Sequence, residues 1–596
     1  MNYKVMKLTQ EQTNILSQEG NIKINAVAGS GKTTTILQFA KSKPPTSEIL
    51  YLAFNKSVKL DAKRKMDALG LKNVKVETAH SLAFKHIVVR SGYKINPFGY
   101  KIHELVDLLS IKSSGEKHEE FVLSNHVQRC FSYFCNSDKT SFDDLNYLDI
   151  VSDKKAKAIV RQKKVYIQQK AQELFDKMLH GEIEVTHDWY LKQFQLSQPK
   201  LTADYILFDE GQDASAAMLD VFLRQKAVKV IVGDTHQQIY GWRFAINAMD
   251  KVAFTNHFLT NSFRFNQEVA ELANTVLNWK KMIDFEPSFQ IKGKGTNKAL
   301  KTKAIIARTN LGLLLKAIQY VTENEQIGKI YFEGNFNSYS YADDGASLYD
   351  VLHLYNNKPY LIRDKLIRKM NSLLELEDYI SKTDDIELAM MVEIVKGYGN
   401  EIPQLLKLIK SYHLPHDNKE EAEMIFSTVH RCKGMEYDEV KLANDFITEE
   451  KVRKFSTDLK RINGDFSKIN EEINLLYVAI TRTTNCLYLP ESIIPLNFKI
   501  NQDSTTVFIT STSENLETEK KENLQIDLQK ETKTFSFQEI RLKHQQAYFP
   551  WTKESDDELL HLKNKGEKVS NIAKHFDRTN GAIRSRIKKL NQNLIL

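Results

Sequence analysis

The stretch Ile22-Lys23-Ile24-Asn25-Ala26-Val27-Ala28-Gly29-Ser30-Gly31-Lys32-Thr33-Thr34-Thr35-Ile36 reads as a strand, a glycine-containing turn and the start of a helix. That order makes a phosphate cradle. Small residues at Gly29, Ser30 and Gly31 let backbone N–H groups close on phosphate oxygens, while the following helix aims its positive dipole end at them. Ala28, Gly29, Ser30, Gly31, Lys32, Thr33 and Thr34 therefore form the candidate nucleotide-binding set. Within it Lys32 reaches the outer phosphates and the Thr33 hydroxyl holds Mg²⁺. Ala26 stands where the strict pattern has its first glycine, and the competing reading of so imperfect a loop is a glycine-rich turn of no function.

With 596 residues the chain is too long for one core, and about two to four domains are expected. No apolar run approaches the length of a membrane span, and no basic start precedes an apolar stretch with a cleavage site. The expected location is cytoplasmic, associated with the nucleoid in a bacterium or nuclear in a eukaryote. Cys130, Cys135, Cys432 and Cys486 form no metal-ligand pattern and are too few for a disulfide framework, which fits a reducing compartment. A net charge of +8 leans towards a polyanionic partner.

Upstream of the loop, the Gln12 amide is a candidate partner for an adenine edge. Downstream, Ile49–Ala53 has the apolar continuity of a buried parallel strand and ends in Phe54-Asn55, where Phe54 is either a core aromatic or a base-stacking ring. After the strand-like Val74–Glu77, Thr78 and His80 either contact backbone phosphates or cap the next helix. Residues 85–195 change to long charged helical segments and read as an insertion. Tyr205–Phe208 then delivers Asp209-Glu210-Gly211-Gln212-Asp213 to the carboxyl edge of a sheet. Mg²⁺-dependent nucleotide hydrolysis needs such a pair, with Asp209 on the metal and Glu210 activating water.

The strand Val228–Val232 leads into Gly233-Asp234-Thr235-His236-Gln237-Gln238-Ile239-Tyr240-Gly241-Trp242-Arg243. With this string the chain resembles superfamily 1 helicases of the UvrD/Rep type, and within them the F-box DNA helicase branch. The resemblance covers roughly residues 6 to 492, with the motifs in their usual order. It implies that Gln237 senses the γ-phosphate, that Trp242 stacks on a single-stranded base, and that Tyr240 and Arg243 couple the two. On physical grounds alone Trp242 is as well suited to a core as to a stacking platform.

In Ser262-Phe263-Arg264 the family usually has Asn-Tyr-Arg; Phe263 keeps a flat face for adenine and Arg264 a cation for the γ-phosphate. Thr428-Val429-His430-Arg431-Cys432-Lys433-Gly434-Met435-Glu436 matches a further family string, placing Thr428 and His430 on the DNA side and Glu436 on the ribose. Arg431 replaces the commoner Lys, which keeps charge and changes geometry. Arg482 closes Glu472–Arg482. In isolation it is a helix-end charge on the dipole, and in the family it is the arginine finger.

The expected fold is α/β: two RecA-like parallel-sheet P-loop domains with helical insertions, plus a small C-terminal all-α module. The boundaries are 1–84 and 196–257 for the first RecA-like domain, with 85–195 its insertion. The second comprises 258–310 and 421–500, with 311–420 a reduced insertion. A polar linker over 501–546 leads to a three-helix module over 547–596. The basic last helix of that module, carrying Arg584 and Lys588, either enters a major groove as in helix-turn-helix or Myb-like units or is the solvated face of a protein-interaction bundle.

The resemblance implies an ATP-dependent DNA helicase of 3′ to 5′ polarity. ATP and Mg are its cofactors, and single-stranded DNA and single/double-strand junctions its partners; duplex DNA is a further partner where the C-terminal module is read as a helix-turn-helix unit. The expected hydrolysis set is Lys32, Thr33, Asp209, Glu210, Gln237, Arg264 and Arg482. A protein-stripping translocase and a nucleotide-gated DNA clamp in a defence or repair complex are the competing readings. No recognisable F-box precedes residue 6, so a ubiquitin-ligase role is not expected, and no carboxylate cluster beyond the motor suggests a nuclease.

Overall fold

The computed structural model describes residues 8–510 apart from 288, 297–299, 324–327, 340–345, 462–464, 500–503 and 505, together with 553–565, 567, 569–576, 583, 586, 587 and 590. Six parallel strands form the first sheet: β1 (Ile22–Ala26), β2 (Ile49–Ala53), β3 (Val74–Thr78), β4 (Tyr205–Phe208), β5 (Val228–Gly233) and β6 (Thr255–Leu259), in the order β3-β2-β4-β5-β1-β6. All five residues of β2 are buried, as expected of an interior strand covered on both faces. Strand β5 lies between β4 and β1, with Ile24 opposite Val232 and Leu207 opposite Val230. The loops that follow β1, β4 and β5 therefore leave side by side at the carboxyl edge.

A two-stranded parallel ribbon, β7 (Asn261–Ser262) with β8 (Lys292–Gly293), lies between the two large sheets in sequence. The second sheet comprises β9 (Lys303–Ala307), β10 (Ile330–Phe332), β11 (Met424–Thr428), β12 (Tyr437–Leu442), β13 (Thr483–Leu489) and β14 (Val507–Ile509). Its order is β10-β11-β9-β12-β13-β14, again all parallel. Three boundaries differ from those expected. The division at 257/258 falls inside β6, β10 lies within the stretch assigned to the second insertion, and β14 is built from the stretch assigned to the linker. Each misplaced segment is an edge strand: β6 (Thr255–Leu259) is half-polar, while β10 and β14 are apolar but only three residues long, too short for a periodicity to show.

The first insertion packs helices Ile102–Leu108, Glu119–Asn136, Lys154–Leu179 and His187–Leu196 against the face of the first sheet lined by Leu50, Leu52, Ile206 and Phe208. Its centre is aromatic: Phe134 stacks on Phe142 at 3.9 Å, and fully buried Trp189 donates Nε1–H to Phe175 O at 3.1 Å. The second insertion contributes helices Leu348–Tyr355, Leu373–Thr383, Ile386–Tyr398 and Ile402–Tyr412, and its apolar core takes in Phe121 and Val122 from the first. Between the insertions, Arg129 Nη1 donates to Thr383 O at 2.6 Å and His126 Nε2 lies 3.0 Å from Lys382 O.

Helices Lys553–Asn564 and Val569–His575 share a small core of Leu559, Ile572, Ala573, Ile583 and Ile587, and Asp556 pairs with Arg586 at 2.6 Å. Arg584 and Lys588 lie outside the described residues. Among the described residues no helix is long and apolar enough to cross a membrane. Truncating Trp189 to Ala removes the largest side chain at the centre of the first insertion. A loss of about 3–5 kcal/mol is expected, read as a lower urea midpoint for the transition that reports on that insertion.

Candidate active site and nucleic-acid interface

From β1 the chain turns through Gly29 (φ 72°) and Gly31 (φ 80°), both in the left-handed region that only glycine enters freely. Gly29 is also crowded. A Cβ there would sit 2.5 Å from Arg264 Cβ and 2.8 Å from Ser262 Oγ, and Phe263 N–H donates to Gly29 O at 2.9 Å. The loop is thus clamped against residues 262–264. Gly31 caps helix Lys32–Lys41 without a side-chain acceptor, so the first N–H groups of the helix have no intrahelical partner and face the loop. Ser30 Oγ is buried with no hydrogen-bond partner among the described residues. An orphaned hydroxyl beside open helix N–H groups is the donor set a phosphate requires.

Gln12 braces this loop from behind. Its Oε1 accepts from Thr9 N at 3.0 Å and its Nε2 donates to Thr35 Oγ1 at 3.1 Å, so both ends of the amide expected at an adenine edge have protein partners.

The turn after β4 holds the acidic pair. Buried Asp209 accepts from Tyr51 O–H at 2.5 Å through one oxygen and from Glu210 N–H at 2.9 Å through the other. Glu210 has φ 53°, a left-handed conformation that a non-glycine residue adopts at a cost and that turns its carboxylate towards the phosphate loop, 3.6 Å from Lys32 Nζ. Burial and the charge of Glu210 push the Asp209 carboxyl up. Burial pushes Glu210 up as well, but the Lys32 and Lys433 charges outweigh it and hold Glu210 below the usual carboxylate range. Gln212 donates to Glu210 at 2.5 Å and accepts from Asp234 N–H at 3.1 Å, tying the turn after β4 to that after β5.

Asp234 is the hub of the latter turn. Its Oδ1 accepts from His236 N–H at 3.0 Å, and its Oδ2 accepts from Gln237 Nε2 at 2.7 Å and from Tyr477 O–H at 2.9 Å. Tyr477 belongs to helix Ser467–Ile480 of the second lobe. Lys433, also from the second lobe, pairs with buried Asp213 and donates to Gln237 O at 2.6 Å.

Beyond Gln237 an aromatic row begins. Phe54 stacks on Tyr240 at 5.8 Å, Tyr240 O–H donates to His430 O at 3.0 Å, and His430 Nε2 meets Ile239 O at 3.1 Å. The His430 ring lies edge-on to Trp242 at 6.3 Å, and the Arg243 guanidinium covers Trp242 at 4.6 Å. Burial and the nearby Arg308 lower His430 to about 4, so its ring is neutral at physiological pH. Trp242 is 57% exposed, an open ring face that an apolar core would have covered.

Two family models match this chain: the UvrD/REP helicase N-terminal domain over residues 8–252, and the UvrD-like helicase C-terminal domain over residues 146–492. The chain belongs to the UvrD-like helicase family. It is 30% identical over 521 residues to F-box DNA helicase 1 of Gallus gallus, covering 82% of this chain and 49% of the relative. It is 29% identical over 547 residues to F-box DNA helicase protein 1 of Schizosaccharomyces pombe, covering 82% and 58%. A probable DNA helicase of Mycoplasma pneumoniae is 25% identical over 296 residues, covering 48% and 43%. The chain thus spans about half the length of these relatives.

The remaining candidate residues of this UvrD-like chain fall into three groups. Phe263 is 48% exposed beside Gly29, leaving a ring face open next to the phosphate loop. Arg264 donates to Thr481 O and to Glu436, each at 2.9 Å, so Glu436, expected on a ribose, is here the partner of an arginine. Arg482 is fully buried and donates to Val478 O, Met435 O and Thr481 Oγ1, which makes it the tie of its own helix end to the loop before β12. Asn55 and Thr78 cap helices through Val58 N and Ser81 N, and Thr428 is buried at the end of β11. His80 is exposed, edge-on to Tyr190 at 6.1 Å.

Sequence reasoning assigned no role to Tyr51, Gln212, Asp234, Lys433 or Tyr477. A tyrosine inside an apolar run is itself a signal, because a buried phenol requires a partner for its hydroxyl.

Gly29→Ala should weaken binding of a fluorescent nucleotide analogue by at least ~10-fold, because the Cβ meets backbone-anchored atoms in a left-handed turn. Gly20 has a similar φ of 76° with nothing within 4 Å of its would-be Cβ, so Gly20→Ala should stay within about 3-fold.

Proposed function

We propose that this chain hydrolyses ATP in the cleft between its lobes and uses the cycle to move 3′ to 5′ along single-stranded DNA, separating strands at a single/double-strand junction. One observation carries the reading. Gln237 and Tyr240 stand three residues apart on one turn, with Gln237 bonded to the hub of the phosphate-loop side and Tyr240 bonded to the open aromatic row. A displacement at the nucleotide end is therefore transmitted to the nucleic-acid end along a few covalent bonds.

In this scheme Lys32, the helix N–H groups and Ser30 bind the phosphates, and the Phe263 face takes the base. Glu210, kept ionised by Lys32 and Lys433, orients the attacking water and accepts its proton. Thr33 and Asp209 offer the hard oxygen donors that Mg²⁺ prefers, and the ion would neutralise charge developing on the phosphates. Arg264, already set against the phosphate loop, and Arg482 from the second lobe supply further positive charge. Phe54, Tyr240, Trp242 and His430 grip a strand by stacking, which reads no sequence, so movement is sequence-independent.

Lys32→Ala should lower ATP turnover by about 10²-fold or more while leaving single-strand affinity within about 3-fold. Equal turnover by variant and parent would sink the assignment. The polarity is tested on matched duplexes bearing a 3′ or a 5′ single-stranded tail. ATP-driven strand loss confined to the 3′-tailed substrate is the expected result, and turnover without displacement on either substrate would favour a protein-stripping translocase.

A further inference from the structure

Tyr477 is fully buried in the middle of helix Ser467–Ile480, and its ring belongs to the apolar core of the second lobe. Its hydroxyl does not. It accepts from Ala28 N–H of the phosphate loop at 3.4 Å and donates to Asp234 Oδ2 at 2.9 Å, so one second-lobe atom bridges the turns that follow β1 and β5 of the first lobe. Asp234 Oδ2 is shared: the same oxygen accepts from Gln237 Nε2 at 2.7 Å. The ring is held edge-on to His236 at 6.0 Å, and His236 is fixed in turn by Lys280 Nζ at 3.0 Å and by Asp234 through its backbone N–H.

We infer that Tyr477 is a positioning residue that couples the phosphate loop to the Gln237 side chain across the lobe interface. This rests on the proposed ATP-driven reading. The ring is anchored in one lobe and the hydroxyl in the other, so a rigid phenol acts as an arm. When the lobes shift, the hydroxyl changes its distance to Ala28 and to Asp234 together, and its share of Asp234 Oδ2 sets how firmly that oxygen holds Gln237. Acidic residues at this point would repel Asp234, and an aliphatic residue would leave two buried polar groups short of a partner. Phenol is neutral, donates and accepts at one atom, and fills the core around it.

Tyr477→Phe keeps the ring and removes only the oxygen. In the full chain, stimulation of ATP turnover by oligo-dT should fall by at least ~10-fold, while the KM for ATP and the affinity for oligo-dT stay within ~2-fold. Because the effect runs through Gln237, adding Tyr477→Phe to Gln237→Ala should cost nothing further. Stimulation within ~2-fold of the parent, or losses that simply add in the double variant, overturns the coupling role. Asp234→Asn approaches the same oxygen from the other side and should reproduce the loss of stimulation; a normal response overturns the proposal equally.

Amide exchange measured without nucleotide gives a readout that does not depend on turnover. In Tyr477→Phe the amides of residues 26–31 and of 233–238 should both exchange at least ~3-fold faster. Unchanged exchange in either segment overturns the bridge, even in a preparation with no ATPase activity. Faster exchange in both segments with no turnover by the parent would support the bridge and count against the ATP-driven reading alone.

Discussion

All strands of the first sheet point the same way, and this one constraint decides where its chemistry can be. A parallel sheet sends every loop that follows a strand to a single edge. At that edge lie the phosphate turn after β1, Phe54 after β2, Thr78 at the end of β3, the acidic turn after β4 and the Asp234 turn after β5. The candidate nucleotide and nucleic-acid residues are therefore neighbours by topology. The second sheet repeats the arrangement, and its loops after β9, β11 and β12 bring Arg308, His430 and Asp445 to its own carboxyl edge.

Charge then organises the interface. Asp209, Glu210, Asp213 and Asp234 crowd a region largely removed from water, where like charges repel far more strongly than at the surface. The compensation is divided between lobes. Lys32 comes from the first, and Lys433 with the Tyr477 hydroxyl from the second. A buried charge left without its partner is costly, so separating the lobes at Lys433 would leave Asp213 uncompensated. Arg308, paired with Glu472, anchors the same helix that carries Tyr477.

Much of this was legible before any coordinates. The continuous apolar runs of β2 and β4 betray buried parallel strands, and Asp209 and Glu210 follow β4 directly, while Gly29 and Gly31 follow the more mixed strand β1. Other features needed the packed structure. Glu436 and Gln12, expected at ribose and adenine, have protein partners here, and their terminal groups can serve ligand or protein equally. Asn55 and Thr78 follow strands and precede helices, where capping and phosphate contact ask for the same residue types. The strands β10 and β14 lie on the edges of their sheet and are three residues each, so their apolar runs are too short to be told from parts of a buried helix. Lys433 and Tyr477 sit inside matched strings, yet their roles depend on a partner some 200 residues away in sequence, which no local pattern encodes.

The apolar core of the second lobe does not stop at the lobe boundary. Val27 and Ala28 of the phosphate turn and Ile239 beside Tyr240 are fully buried within it, alongside Phe265, Cys432 and Tyr477. Prising the lobes apart would wet these side chains, so the hinge is loaded by water and not by bond geometry alone. Apolar hydration carries a large heat capacity. The cost of separating the lobes should accordingly bend with temperature and fall on cooling, for a reason that lies in three buried apolar residues of the first lobe.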